Sequence, residues 1–244
     1  MGRSATLTRP REPKPRPSSL VVLENGDRLT RAEFERRYEA MPDEFQAELI
    51  EGVVHVSSPV RVNMHGNRTP RVNTWLSIYS DSTPGTEVGQ NGTVRLDLDN
   101  EVQPDAFLRI LPEFGGQSRT SEDDYVDGAP ELVAEVTAST VSIDLHDKMN
   151  AYRRNGVREY VVWRVRDEEV DWFVWREGCY ERLSPDPAGI YRSEVFPGLW
   201  LDVPALLRGD LAGVLALLQQ GIASPEHGAF VAQLEQRGQE CAGE

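Results

Sequence analysis

Residues 130–165 read PELVAEVTASTVSIDLHDKMNAYRRNGVREYVVWRV, and they carry the clearest secondary-structure pattern in the chain. Residues 131–137 alternate as a strand does, and both faces are apolar apart from Glu135, which predicts a central strand covered on both sides. A helix is expected to follow and to end at Gly156, a residue type suited to the position just after a helix. Residues 159–165 then form a second apolar strand. A strand, a helix and a strand of these lengths predict a right-handed parallel crossover.

Two carboxylates and one lysine stand out in and before this stretch. Glu135 lies in the middle of the strand, where a buried charge is costly unless it is paired or holds a metal. Asp105 follows a proline at the start of an upstream strand, a place where proline is tolerated. Lys148 lies in the predicted helix, and the only other lysine is Lys14. Arginine cannot replace lysine where a compact point charge is needed, so one interpretation is that Lys148 has a specific role. The other is that Lys148 simply pairs with Asp144 on a solvated helix face.

These residues resemble the pattern of the Uma2 family of endonucleases, which belongs to the PD-(D/E)XK nuclease superfamily. The resemblance rests on the Pro-Asp strand start at Asp105, the Glu-Val-Thr sequence from Glu135 and the helical Lys148. An early Glu-Leu-Ile-Glu-Gly segment that begins at Glu48 matches as well. The parent superfamily pattern has a lysine where Thr137 stands. The Uma2 pattern moves that lysine to the helix, and Lys148 fits this placement.

The resemblance implies a restriction-endonuclease-like core of mixed α/β (α+β) class, in which helices flank a central mixed β-sheet. It implies a DNA phosphodiester substrate and Mg²⁺ or Mn²⁺ as the cofactor. Asp105, Glu135 and Lys148 are the expected catalytic residues. The expected metal ligands are Asp105, Glu135, the carbonyl of Val136 and Glu48, although Glu48 also fits an exposed hairpin position. Lys148 is expected to orient or deprotonate the attacking water, or to neutralise the phosphate.

The net charge of −14 limits how this chain could bind DNA. Because DNA affinity comes mainly from cations on phosphates, a nucleic-acid surface here must be a local patch. Arg153, Arg154 and Arg158 lie on the helix after Lys148 and at its exit, and they are the candidate phosphate contacts. The acidic balance also fits a hydrolase of another phosphate ester. A catalytically degenerate nuclease fold that binds a partner is a further alternative.

Other strands are predicted from alternating residues and turn signals. Residues 47–50 and 53–56 flank a Glu-Gly pair and are expected to form a hairpin. Residues 86–88 and 93–98 flank the Asn-Gly pair at 91–92, a turn signal typical of a hairpin.

The chain is predicted to have three parts. Residues 1–19 are rich in Pro, Arg and Ser and are expected to be a disordered basic tail. Residues 20–203 would form the nuclease-like domain, and residues 204–244 a C-terminal helical extension that packs on the sheet or forms a homodimer contact. No apolar run suits a membrane span or a secretory signal. With only two distant cysteines, Cys179 and Cys241, a cytoplasmic location is expected.

Overall fold

The structure is a computed structural model that describes residues 22–42, 44–57, 67–138 and 141–243. The predicted tail at residues 1–19 lies outside these ranges, and the domain boundaries stay predictions. Within the described ranges, no helix is both long and apolar enough to span a membrane.

The described chain alternates short strands with helices. The α-helices are α1 (Arg31–Tyr38), α2 (Thr69–Asp81), α3 (Met149–Asn155), α4 (Val203–Arg208), α5 (Leu211–Ile222) and α6 (Pro225–Ala242). The strands are β1 (Ala47–Ile50), β2 (Val53–Val56), β3 (Thr86–Gly89), β4 (Val94–Arg95), β5 (Glu101–Val102), β6 (Ala106–Ile110), β7 (Arg119–Thr120), β8 (Val126–Asp127), β9 (Leu132–Thr137), β10 (Glu159–Arg164), β11 (Glu169–Arg176), β12 (Cys179–Arg182), β13 (Ile190–Arg192) and β14 (Trp200–Asp202). A 3₁₀ turn spans Pro112–Phe114, and a π-helical segment spans Ile143–Lys148.

A mixed six-stranded sheet forms the centre of the described chain, in the order β12-β11-β10-β9-β6-β3. We call it the central sheet. Strands β9 and β10 are parallel, and the other neighbours in this sheet are antiparallel. A second six-stranded sheet has the order β2-β1-β5-β4-β8-β7, and β13 pairs with β14. The predicted class, a mixed α/β fold with a mixed sheet flanked by helices, is confirmed.

Strand β9 is buried along its whole length because both faces of the central sheet are covered. On one face, Ala134 packs in a core to which the C-terminal helices contribute Val214 and Leu234. On the other face, Val133 packs in a core with residues of the second sheet and with Tyr152 of α3. The C-terminal helices therefore extend the core on this face by contacting α2, β14 and the 3₁₀ turn, and their use in a homodimer stays a prediction.

The two predicted hairpins had different outcomes. Strands β1 and β2 pair as expected, and Glu51 and Gly52 take positive φ values of 53° and 71° in the turn. The strands that flank Asn91 do not pair with each other, so that prediction was wrong. Strand β3 pairs with β6 in the central sheet, whereas β4 pairs with β5 and β8 in the second sheet. The turn at Asn91, with φ 49°, carries the chain between sheets because each strand buries its apolar side chains in a different core.

The segment between β9 and β10 is a parallel crossover, as the sequence predicted. Gly156 ends α3 with a left-handed φ of 80°, which favours glycine. The first part of the crossover is not a regular α-helix, because Ile143–Lys148 is π-helical. The Tyr160 hydroxyl donates a hydrogen bond of 2.9 Å to the carbonyl of Asp144 and holds this segment against β10. π-Helical turns are rare in proteins, and those that do occur are frequently found at functional sites.

Candidate active site at one end of the central strands

Asp105 and Glu135 lie side by side on neighbouring strands. Ala106 pairs with Ala134, so the next step along the same antiparallel register sets Asp105 opposite Glu135 on one face of the sheet. The backbone N–H of Val136 donates to Asp105 Oδ2 at 2.7 Å, and the N–H of Asp105 approaches Glu135 Oε2 at 3.4 Å. Both residues are buried. Because like charges opposite each other destabilise a sheet, this pair requires a compensating cation.

Lys148 supplies a cation at this position. Its Nζ atom lies 2.9 Å from Glu135 Oε1 and 2.8 Å from Glu48 Oε1, and the lysine is only 5% exposed. Glu48 reaches the site from β1 of the second sheet, and its Oε1 also accepts the backbone N–H of Gln103 at 2.7 Å. Glu48 is therefore not an exposed hairpin residue. The three predicted catalytic residues and Glu48 come from separate segments and meet at one place.

Negative charge exceeds positive charge among the described residues of this site. Glu48, Asp105, Glu135 and Asp144 interact electrostatically around the single ammonium group of Lys148. Burial raises the pKa of Glu135 well above its ordinary value. The neighbouring carboxylates raise this pKa as well, whereas Lys148 lowers it. Burial alone would lower the pKa of Lys148, but Glu135 and Glu48 outweigh it and raise that pKa. The lysine therefore stays charged, and the site favours a further positive charge or a proton.

Tyr152 is a further member of this site, and the sequence pattern did not single it out. Its hydroxyl donates a hydrogen bond of 3.0 Å to Glu135 Oε1. Burial and the nearby Glu135 raise the pKa of Tyr152, so the phenol keeps its proton as a donor. The available signal was spacing, since residues four apart on a helix share a face and Tyr152 follows Lys148 by four positions.

The proline before Asp105 affects the backbone of β9. The N–H and carbonyl of Val136 point to the side of β6, because this N–H donates to Asp105. Continuing the register places Val136 opposite Pro104, which has no backbone N–H to donate. The Pro104 carbonyl instead accepts the N–H of Asn91 at 3.1 Å. The Val136 carbonyl therefore points to the β6 side, where Asp105 lies, and receives no ladder hydrogen bond from Pro104.

The donor atoms of this site fit a hard divalent cation. Two carboxylates and one carbonyl are the oxygen ligands that Mg²⁺ and Mn²⁺ prefer, with water as the remaining ligands. Within the described part of the chain, no three His, Cys, Asp or Glu side chains come close enough to hold a metal by themselves. A metal here would therefore use the backbone oxygen of Val136 beside Asp105 and Glu135, while Glu48 contacts Lys148.

The three arginines predicted as phosphate contacts do not surround the carboxylates. Glu159 pairs with Leu132, which puts Arg158 at the end of β9 away from Glu135. Arg153 donates to the carbonyl of Gly178 at 2.8 Å. Arg154 Nη1 lies 2.7 Å from Glu51 Oε2. The physical reason is the crossover itself: a helix that returns to start a parallel strand ends beside the strands' N-terminal ends.

Comparison with known proteins gives both a related fold and a family. The fold is similar to that of a crystallised "putative nuclease belonging to DUF820" from Anabaena variabilis, with a TM-score of 0.54 and 13% identity over 71% of this chain and 96% of that chain. No curated protein matches the chain. The Uma2 family model, described as "Putative restriction endonuclease", matches residues 31–204, which include all four predicted site side chains. As the sequence pattern predicted, the chain belongs to the Uma2 family.

Proposed function

We propose that this chain is an endonuclease that hydrolyses DNA phosphodiester bonds with Mg²⁺ or Mn²⁺. The observation that carries the proposal is the meeting of Asp105, Glu135 and Lys148 at one buried point, although each comes from a different segment. Two acids and a lysine alone are a weak signal, since structural ion pairs have the same composition. The description of the Uma2 family as restriction endonucleases supports a nucleic-acid substrate.

In this proposal, Asp105, Glu135 and the Val136 carbonyl hold the metal, and Glu48 is a further candidate ligand. A divalent ion held there supplies a water of lowered pKa and offsets charge on the phosphate. The backbone N–H of Val136, which donates to Asp105, keeps that carboxylate aimed at the site. The ammonium group of Lys148, held between Glu135 and Glu48, orients the attacking water and offsets charge on the scissile phosphate.

A second candidate function is a catalytically degenerate nuclease fold that serves as a binding module. It is favoured by the contacts that Lys148 already makes with Glu135 and Glu48, which form an ion group that needs no metal. This alternative predicts no heat of Mn²⁺ binding in calorimetry and no cleavage of DNA.

The test is nicking of supercoiled DNA in the presence of Mg²⁺ or Mn²⁺ by wild type, Glu135→Gln and Glu131→Gln. Glu131 is the matched control, because it is a buried acid just before β9 whose oxygens accept backbone N–H groups away from the site. We expect Glu135→Gln to lower the nicking rate on the order of 10³-fold, since it removes several kcal/mol of charge stabilisation. Folded Glu131→Gln should nick like wild type.

Equal nicking by wild type and Glu135→Gln would exclude this site as the source of activity. Absence of both nicking and Mn²⁺ binding in wild type would favour the binding module. A salt titration of DNA binding adds a check on the substrate class, because affinity that does not fall with salt means few phosphate contacts.

A further inference from the structure

We propose that Tyr152 is a positioning residue, whose hydroxyl holds one oxygen of Glu135 so that the other oxygen faces Asp105. This inference rests on the proposed function, since it concerns how Glu135 presents its carboxylate to a metal. It adds a residue from α3 to a site otherwise assigned to the strands and to Lys148.

The two oxygens of Glu135 have different partners. Oε1 receives the Tyr152 hydroxyl at 3.0 Å and lies 2.9 Å from Lys148 Nζ. Oε2 has only the longer contact of 3.4 Å with the N–H of Asp105 among the hydrogen bonds described for it. Oε1 is thus held by two donors, and Oε2 is the oxygen that faces the backbone of Asp105.

Lys148 cannot fix this orientation by itself. Its ammonium group is shared between Glu135 and Glu48, and an ammonium on a flexible stem imposes little direction on its partners. The Tyr152 hydroxyl, in contrast, sits on a ring that is fully buried. That ring lies 5.0 Å from the ring of Tyr160, which is itself tied to the π-helical segment. The phenol therefore gives Glu135 a donor of fixed direction.

The acceptor distinguishes Tyr152 from other tyrosines of the described chain. Several tyrosine hydroxyls donate to backbone carbonyls, which is the usual way to satisfy a buried phenol. These donors are Tyr38, Tyr79, Tyr160, Tyr180 and Tyr191. Tyr152 donates instead to a carboxylate side chain of the candidate site. Its hydrogen bond therefore does more than satisfy a buried hydroxyl.

The experiment compares Mn²⁺ binding by wild type, Tyr152→Phe and Tyr180→Phe. Tyr180 is the matched control because it packs against the same core and its hydroxyl donates to the Val157 carbonyl at 2.9 Å. Phenylalanine fills the same space, so both variants keep the ring packing. Loss of a hydrogen bond behind a metal ligand typically weakens metal affinity about 10- to 100-fold, and we expect this for Tyr152→Phe but not for Tyr180→Phe.

Two readouts separate positioning from general damage to the fold. Calorimetry gives the Mn²⁺ affinity, and the electron paramagnetic resonance spectrum of bound Mn²⁺ should change in Tyr152→Phe only. Raising the Mn²⁺ concentration should also restore DNA nicking by Tyr152→Phe. Equal Mn²⁺ affinity in Tyr152→Phe and Tyr180→Phe, with wild type active, would overturn this inference and leave the proposed function intact. Wild type that neither binds Mn²⁺ nor nicks DNA would overturn both.

Discussion

The two ends of the central strands bury carboxylates in different ways. At the N-terminal end, Glu131 and Glu159 are fully buried, and each accepts hydrogen bonds from backbone N–H groups or a serine hydroxyl of a neighbouring strand or loop. Towards the C-terminal end, Glu135 lies opposite Asp105 and shares the ammonium group of Lys148 with a third acid. One end satisfies its acids separately, and the other gathers several acids around one cation.

This difference shows that burial alone does not distinguish the acids of the candidate site from other buried acids. Burial raises the pKa of Glu159 to about 7 and also raises the pKa of Glu135. What differs is the kind of partner, since neutral donors satisfy a single acid, whereas clustered acids leave an excess of charge that a dication can offset.

The largest expected effect comes from Lys148→Met, which removes the cation from the acid cluster. Glu135 would remain buried, and Glu48 half-buried, without their counter-charge, and breaking a buried ion pair such as Lys148–Glu135 typically costs about 3–5 kcal/mol. Urea unfolding at neutral pH in the presence of a chelator measures this loss. Added Mn²⁺ should restore part of the unfolding free energy of the variant, because a dication replaces the missing charge.

Glu131→Gln is the control at the other end of the strand. Mn²⁺ should not stabilise this variant, since the partners of Glu131 are backbone N–H groups and no second acid is bonded to it. If Lys148→Met were as stable as wild type in chelator, or if Mn²⁺ stabilised both variants equally, the contrast between the two ends would be lost.

A smaller effect is expected for Glu159→Gln, and it depends on pH. Burial raises the pKa of Glu159 from 4.5 to about 7, although hydrogen bonds from Ser193 and Glu194 oppose the shift. The folded state thus keeps its proton where the unfolded state has lost it, so the unfolding free energy falls as pH rises through this window. The fall should approach about 3 kcal/mol in wild type and be absent from the glutamine variant.

Urea unfolding of both proteins at several pH values across this window provides the measurement. A difference between wild type and Glu159→Gln that stays constant with pH would show that Glu159 titrates at the same pH in the folded and unfolded states. The Ser193 hydroxyl lowers the pKa of Glu159. Ser193→Ala should therefore raise that pKa further and make the fall in unfolding free energy with pH larger.

The smallest effect is expected for Arg154→Ala, which removes an exposed ion pair with Glu51. Both partners are partly open to solvent, so the unfolding free energy should change by less than about 1 kcal/mol. The nicking rate should stay at the wild-type level, because Arg154 pairs with Glu51 and is not among the residues around Asp105 and Glu135. If Arg154→Ala reduced the slope of log DNA affinity against log salt concentration by about one unit, Arg154 would instead be a phosphate contact.

Sequence patterns predicted the central crossover because its signals are local. The alternation of residues 131–137, the stop at Gly156 and the second apolar strand each lie within a short stretch. The partner strands of β3 and of β4 could not be predicted in this way. The Asn-Gly turn specifies a reversal of the chain, but it does not specify which sheet each strand joins. The π-helical segment was also missed, because its residues read equally well as an α-helix.

Sequence patterns were enough to predict the mixed α/β class, the crossover and the three residues of the family pattern, Asp105, Glu135 and Lys148. Tertiary packing was needed to set Asp105 opposite Glu135, to bring Tyr152 to the same carboxylate, and to direct the arginines of α3 and its exit to other partners. The reason is that side-chain periodicity is a property of neighbouring residues, whereas strand register and helix direction depend on how distant segments bury their apolar surfaces together.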